Sequence, residues 1–192
     1  MGVAKDPKYY DENMARVNLP LELSPWRDLY DKAASLLPPP EECTTIVDIG
    51  CGTGRFARLL ANRGYTSYWG IDFSELRINE AKRYVPQFTF SFANVLEEWV
   101  QEELTRFNLF VLLEVLEHIS DDLKLLSALP PSSKVIFSVP NFDSRGHVRF
   151  FSIEDDVIHR YQQVLDFSNG ERLKERRRAP DKMIYLFSCI TR

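Results

Sequence analysis

The feature that most constrains the fold of this chain is a glycine-rich turn that directly follows a short apolar run. Residues 47–56 read V-D-I-G-C-G-T-G-R-F, and a helix-like pattern of apolar residues comes next. Because glycine has no Cβ, its backbone can approach a bound ligand closely. The order of strand, glycine turn and helix therefore predicts the first unit of an open α/β sheet, with a ligand site at its carboxyl edge.

An acidic residue at a fixed distance from the turn narrows the choice of ligand. Asp72 lies 20 residues after Gly52, at the end of the second predicted strand, where a carboxylate can accept hydrogen bonds from two ribose hydroxyls. A dinucleotide-binding pattern would need glycine at the position of Arg55, and no Lys-Ser/Thr pair follows the turn as in a P-loop. The spacing of Asp72 disfavours the remaining alternative, a tight turn without a ligand.

Beyond the turn, apolar runs alternate with segments long enough to form helices. The predicted strands cover residues 45–49, 68–72, 88–92, 109–113, 135–139, 164–167 and 183–190. This alternation predicts right-handed βαβ units and a three-layer, Rossmann-like α/β fold. The last two strands flank a charged run at residues 171–182, so we expect a mostly parallel, seven-stranded sheet with an antiparallel C-terminal hairpin.

The chain is predicted to form one compact domain with an N-terminal extension. It has 192 residues, of which 44% are hydrophobic, and this is enough for one buried core. Residues 1–42 are rich in aromatic residues and proline and end in three consecutive prolines, so we predict an N-terminal helical cap or lid. Residues 43–192 form the main domain in this prediction.

Charge and cysteine content exclude several classes of partner. The net charge of −4 disfavours a general nucleic-acid binder, and no apolar run is long enough to span a membrane. Three cysteines without C-x-x-C spacing indicate neither a disulfide framework nor a zinc site. We therefore expect a cytoplasmic protein that acts without nucleic acid or membrane partners. The sequence leaves its oligomeric state open.

Four motifs together resemble the class I S-adenosylmethionine (SAM)-dependent methyltransferases. The family's glycine motif is similar to V-D-I-G-C-G-T-G, and its ribose-binding acid to G-I-D-F, which contains Asp72. The adenine-contacting segment is similar to A-N-V-L at residues 93–96, and the fourth-strand motif to L-L-E-V-L-E-H-I at residues 112–119. The resemblance covers residues 44–140 and implies SAM as the cofactor and methyl donor.

The resemblance also implies a set of donor-binding residues. They are Asp48, Gly50, Cys51, Gly52, Asp72, Phe73, Asn94, Val95, Leu113 and Glu114. In this assignment the backbones of Gly50 and Leu113 face the methionine end of SAM, Glu114 lies beside its ammonium group, and Phe73 and Asn94 contact the adenine. Simple core packing is the alternative for Phe73.

Two motifs that are missing from the sequence narrow the class of methyl acceptor. Enzymes that methylate adenine N6 or cytosine N4 carry an Asn/Asp/Ser-Pro-Pro-aromatic motif after the fourth strand, where residues 114–117 read E-V-L-E. The Pro-Cys pair of cytosine-C5 enzymes is also absent from the sequence. We therefore predict O-methylation of a small molecule. A 2′-hydroxyl of RNA is the first alternative, and a SAM-binding domain without catalysis is the second.

A cluster of ionisable residues follows the fourth strand. Glu114, Glu117 and His118 stand at i, i+3 and i+4, which predicts one face of a helical turn and suits a divalent metal. The pattern resembles metal-assisted O-methyltransferases acting on polyprenyl-benzoquinones and on small RNA, and His147 is similar to their further ligand. The sequence-based hypothesis nevertheless favours a metal-free reaction. His118 or His147 is then the catalytic base, and activity rises through the usual histidine pH range.

Three further residues are predicted to bind the acceptor. Arg149 follows the fifth strand and can hold an anionic group in a bidentate contact, or it can fasten its loop to a nearby carboxylate. Tyr10 and Trp26 are expected to cover the site, with packing of the first helix as the alternative. Residues 176–178 are three arginines, which we interpret as a solvated hairpin tip rather than a phosphate guide.

Overall fold

The computed structural model describes residues 5–12, 21, 24–168, 172–176 and 181–192. The helices are α1 (Pro7–Glu12), α2 (Arg27–Ser35), α3 (Arg55–Asn62), α4 (Glu75–Tyr84), α5 (Glu98–Leu104), α6 (Asp122–Ser127) and α7 (Glu154–Tyr161). The strands are β1 (Ile46–Ile49), β2 (Tyr68–Asp72), β3 (Thr89–Phe92), β4 (Leu109–Leu113), β5 (Lys134–Pro140), β6 (Leu165–Asp166), β7 (Arg172–Arg176) and β8 (Met183–Thr191).

The strands form a single sheet in the order β3-β2-β1-β4-β5-β8-β6, and β7 also pairs with β8. Strands β1 to β5 run parallel, whereas β8 is antiparallel to β5. The predicted mostly parallel α/β sheet is confirmed. Because β1 lies between β2 and β4, the connections leave it in opposite directions, and this opens a crevice at the carboxyl ends of these strands.

Two apolar cores lie on opposite faces of the sheet, which gives the three predicted layers. One core holds residues of α5, α6 and α7, such as Val100, Leu125 and Tyr161. The other holds residues of α2, α3 and α4, such as Leu29 and Leu60. The central strands are buried on both faces, as is usual for parallel strands covered by helices.

The C-terminal region differs from the prediction by one strand. Arg172–Arg176 forms β7, so the described residues contain eight strands rather than seven. The charged run at 171–182 was interpreted as a turn because its charges outnumber its apolar residues. Leu173, however, pairs with Leu186 and packs against the core, which fixes the segment as a strand. Arg177 and Arg178 lie outside the described residues.

The N-terminal segment is attached to the carboxyl edge of the sheet at two points. The Ser74 hydroxyl, at the start of α4, donates a hydrogen bond to Asp11 of α1. The Tyr9 hydroxyl donates to the carbonyl of Arg145, in the loop after β5 (3.2 Å). Helix α1 therefore connects the start of α4 with the loop after β5. No helix in the described ranges is long and apolar enough to span a bilayer.

Candidate functional site

The glycine turn is pinned against the neighbouring strand. The amides of Gly50 and Cys51 both donate to the carbonyl of Ile71, at 2.7 and 3.1 Å. Gly50 has a φ of +78°, and a Cβ built there would lie 2.5 Å from a methyl carbon of Val115. Only glycine satisfies both the backbone conformation and the lack of space at this position.

Asp72 connects the glycine turn to the next helix. One carboxylate oxygen accepts the amide of Gly52 and the other accepts the amide of Ser74, each at 2.9 Å. Burial raises the pKa of Asp72, while the charge of Arg77 and the two backbone hydrogen bonds lower it. A carboxylate offers about four lone-pair sites, so two remain for ligand hydroxyls after these bonds.

A second buried acid, Asp48, lies behind the turn. Tyr68 donates its hydroxyl hydrogen to the carboxylate of Asp48. Burial raises the pKa of Asp48 to about 7, although the bond from Tyr68 opposes that shift. Asp48 does not line the cavity described below, unlike the other residues predicted to bind the donor.

A cavity of about 550 Å³ opens at the carboxyl ends of β1, β2 and β4, and its size suits a small-molecule ligand. All predicted donor-binding residues except Asp48 line it, namely Gly50, Cys51, Gly52, Asp72, Phe73, Asn94, Val95, Leu113 and Glu114. Trp26 and His118 line it as well. Burial raises the pKa of the Cys51 thiol, which keeps that group neutral inside the cavity.

Glu114 has an unusual backbone conformation that directs its side chain. Its φ is +57°, and its amide donates to Ser138 Oγ, which in turn donates to Glu114 Oε1, both at 2.9 Å. Non-glycine residues in this conformation concentrate at functional sites. Residues 114–118 form a turn rather than the expected helical face, so Glu114 lines the cavity whereas Glu117 is fully buried behind it.

The structure brings together a different set of potential metal ligands from the one predicted. Ligand atoms of Glu117, His118 and His147 all lie within 4.8 Å of one another. Neither carboxylate oxygen of Glu117 has a hydrogen-bond partner among the described residues, although the side chain is completely buried. Glu114 does not belong to this cluster.

A backbone carbonyl orients each histidine of this cluster. His118 Nδ1 is 3.0 Å from the carbonyl of Gly146, and His147 Nδ1 is 3.3 Å from that of Phe142. Because a carbonyl only accepts, each Nδ1 carries the hydrogen, and Nε2 is the unprotonated nitrogen of each neutral ring. His118 lines the cavity, whereas His147 lies behind it, with the two ring centroids 4.9 Å apart.

Burial controls the protonation of the cluster. It lowers the pKa of His118 to about 4 and also lowers that of His147. Burial and the charge of Glu114 raise the pKa of Glu117 well above its ordinary value. At neutral pH the histidines are therefore uncharged, and burial favours the protonated form of Glu117 over its charged form.

The side chain of Arg149 bonds to backbone carbonyls and a carboxylate of the protein instead of facing the cavity. Its guanidinium donates to the carbonyls of Leu116, Ile119 (2.6 Å) and Ser120 (3.1 Å), and it pairs with the buried Asp122 at 3.1 Å. It does not line the cavity. This geometry favours the loop-fastening role over acceptor binding. The side chain of Tyr10 lies outside the described part of the chain.

Several cavity residues were not among the site residues predicted from the sequence. They are Lys5, Tyr30, Arg55, Arg77, Ile119, Ser120 and Asp121. Two had a local signal, since Arg55 directly follows the last glycine of the turn and Arg77 lies in the helix after Asp72. Lys5 and Tyr30 reach the cavity only through tertiary packing, so no spacing in the sequence could identify them.

The sheet order and the glycine turn define a ligand-binding α/β domain of the Rossmann-like class. The model of the methyltransferase domain family matches residues 15–178, so the chain belongs to this family. The ubiquinone biosynthesis O-methyltransferase of Acinetobacter baylyi is 28% identical over 113 residues, which cover 54% of this chain and 46% of that protein. The chain thus spans about half the length of the curated relatives that it matches.

Two solved structures share the fold at low sequence identity. The [4+2]-cyclase SpnF superposes with a TM-score of 0.71 at 12% identity, covering 99% of this chain and 98% of that one. The N-methyltransferase NodS from Bradyrhizobium japonicum, in complex with S-adenosyl-L-homocysteine (SAH), gives a TM-score of 0.58 at 17% identity, covering 90% and 89%. At this identity both comparisons support the fold alone.

Proposed function

We propose that this protein is a SAM-dependent methyltransferase that methylates an oxygen atom of a small molecule. The observation that carries the proposal is the placement of Asp72, which braces the glycine turn and keeps lone pairs for ribose hydroxyls at the edge of the cavity. Membership of the methyltransferase domain family and the O-methyltransferase names of the relatives support the reaction class. We also propose a cytoplasmic location, with which the three free thiols are compatible.

Methyl transfer from a sulfonium is an in-line displacement, so the protein mainly positions the reactants and excludes water. Trp26, Ile49 and Leu113 give the cavity a partly apolar lining that suits the reaction of an anionic oxygen with a cation. A hydroxyl acceptor must also lose its proton. His118 faces the cavity, but with a pKa of about 4 it is a weak base for an ordinary hydroxyl.

Two observations favour a metal-assisted form of the reaction: the weak basicity of His118, and the burial of Glu117 with no hydrogen-bond partner among the described residues. A fully buried carboxyl group that has no hydrogen-bond partner among the described residues, beside two neutral imidazole rings, fits a divalent cation. The carbonyls of Gly146 and Phe142 orient the two rings, as partners of metal-bound histidines commonly do. Glu117, His118 and His147 would hold the ion, which supplies Lewis-acid chemistry that acidifies a hydroxyl.

The reaction class is tested by transfer of label from methyl-tritiated SAM. We expect label in catechol, a small acidic diol, and none in a mixed small-RNA pool at physiological salt. The net charge of −4 gives no broad basic surface for phosphates. Label in RNA and not in catechol would favour the 2′-hydroxyl alternative, and SAM binding without transfer to any acceptor would favour a non-catalytic domain.

The metal is tested by elemental analysis of protein purified without chelator. We expect about one divalent ion per chain, and its loss in Glu117→Gln and His147→Ala. His159→Ala is the matched control because His159 is an exposed histidine outside the cluster. Added manganese or zinc should raise the melting temperature of the wild type but not of Glu117→Gln.

The metal-free alternative makes the opposite prediction. Activity would then survive a chelator and depend on His118 as the base. Because burial lowers the pKa of His118 to about 4, activity would fall only as the pH drops towards 4. The sequence-based expectation of a rise through the usual histidine range does not hold for a residue buried in this way.

A further inference from the structure

The acceptor side of the cavity contains a cation that the proposed reaction has not used. Lys5 lines the cavity together with His118, Ile119, Ser120 and Asp121. Its Cγ lies 3.4 Å from the position that a Cβ on Gly146 would occupy, and His118 Nδ1 lies 3.7 Å from the same point. The methylene chain of Lys5 therefore runs beside the imidazole that faces the acceptor.

The position of Lys5 is fixed by the contacts of the helix that follows it. Tyr9 donates to the carbonyl of Arg145, and the Arg145 guanidinium carbon lies 5.8 Å from the centroid of the Tyr9 ring. The Tyr9 ring also packs against Gly146, 3.6 Å from the same Cβ position. On the other side, Asp11 accepts a hydrogen bond from Ser74. Helix α1 thus holds Lys5 over the cavity from both sides.

The other cations near the site either bond to other protein groups or lie at the opposite end of the cavity. Arg149 is bonded to three carbonyls and to Asp122, so it cannot approach a ligand without dismantling that loop. Arg55 and Arg77 lie on α3 and α4, beside the glycine turn and Asp72 at the donor end. Asp121 is an exposed acid, where water and salt screen its charge more than that of the half-buried Lys5.

We propose that Lys5 recognises a negatively charged group on the methyl acceptor, so that the preferred acceptor is a small hydroxylated acid and a neutral diol such as catechol is a weaker one. The inference rests on the proposed function, since it assigns one end of the same cavity. Trp26 and Ile119 add apolar surface to the same cavity, which suits an aromatic body between the reacting hydroxyl and the acidic group. Such an acceptor also complements the positive sulfonium of the donor.

The test uses two probes of the same shape that differ by one charge, 3-(3,4-dihydroxyphenyl)propanoate and its amide. Each is titrated by calorimetry into SAH-saturated protein at pH 7. We expect the wild type to bind the acid roughly tenfold more tightly than the amide, as for one partly buried ion pair. Lys5→Met should bring the ratio close to one, and Lys5→Arg should retain most of it. The ratio should also fall as salt rises.

Lys8→Met is the matched control, because Lys8 is an exposed lysine on α1 and does not line the cavity. It should keep the tenfold ratio, and all variants should bind SAH as the wild type does. Equal affinity of the wild type for the two probes, or no binding of either, overturns the assignment of Lys5 while leaving the donor site intact. Failure of the wild type to bind SAH would instead overturn the proposed function itself.

Discussion

Replacement of Asp72 by alanine is expected to weaken binding of SAM and SAH by about 1–3 kcal/mol, a factor of about 5 to 150. In the proposed site, the change removes the acceptor of two ribose hydroxyls. It also removes the bonds that brace the amides of Gly52 and Ser74, so the turn itself loses support. Calorimetry with both ligands measures the effect directly.

Asp155→Ala provides the control, because Asp155 is an exposed acid on α7, away from the cavity. It should bind both ligands like the wild type. Asp72→Asn should fall between the wild type and Asp72→Ala, since an amide oxygen can still accept one backbone bond. Unchanged SAH affinity in Asp72→Ala would contradict the assignment of this residue to the ribose.

Replacement of Gly50 by alanine is expected to lower the free energy of unfolding more than replacement of Asp72 does. The left-handed conformation costs about 1–2 kcal/mol for a residue with a Cβ. The new methyl group would also lie 2.5 Å from Val115 in a packed region, and such overpacking costs about 1–3 kcal/mol. Urea unfolding should therefore show a loss of about 2–5 kcal/mol, together with weaker SAH binding.

Gly64→Ala separates the two contributions. Gly64 also has a positive φ, +87°, but a Cβ there meets nothing within 4 Å. Gly64→Ala should lose only the stability that the left-handed conformation costs, and it should bind SAH as the wild type does. Adding Val115→Ala to Gly50→Ala should recover part of the stability by making room. Equal losses in Gly50→Ala and Gly64→Ala would show that the contact with Val115 has no consequence.

The residues around the glycine turn could be assigned to one end of a common cavity because the features that place them there are local in the sequence. A strand, three alternating glycines and Asp72 at the end of the next strand fix a turn that only a few ligands fit. The parallel βαβ arrangement, though not the order of the strands, followed from the alternation of apolar runs and helix-length segments. The cavity accordingly contains almost every residue assigned to the donor.

The reacting end could not be predicted as well, because tertiary contacts determine it. The spacing of Glu114 and Glu117 indicated a shared helical face, but the positive φ of Glu114 and its bonds with Ser138 send the two carboxylates in different directions. His147, which the resemblance implied as a further ligand, joins Glu117 and His118 from the loop after β5, whereas Glu114 does not. Arg149 finds its partners around residues 116–122, more than 25 residues earlier in the sequence.

The β7 strand shows a related limit of sequence reasoning. Its composition is dominated by charged residues, which is typical of a solvated turn. A single apolar residue, Leu173, is enough to anchor it, because β8 offers a continuous edge with Leu186 opposite. Pairing with an existing strand can thus outweigh local composition.

The central claim, that the cavity is a SAM site, is tested most directly by titrating the wild-type protein with SAH and, separately, with NADH. The glycine turn, Asp72 and the family assignment predict saturable binding of SAH at one site per chain and no measurable binding of NADH. Binding of NADH with no response to SAH would contradict the account, because the turn would then serve a dinucleotide.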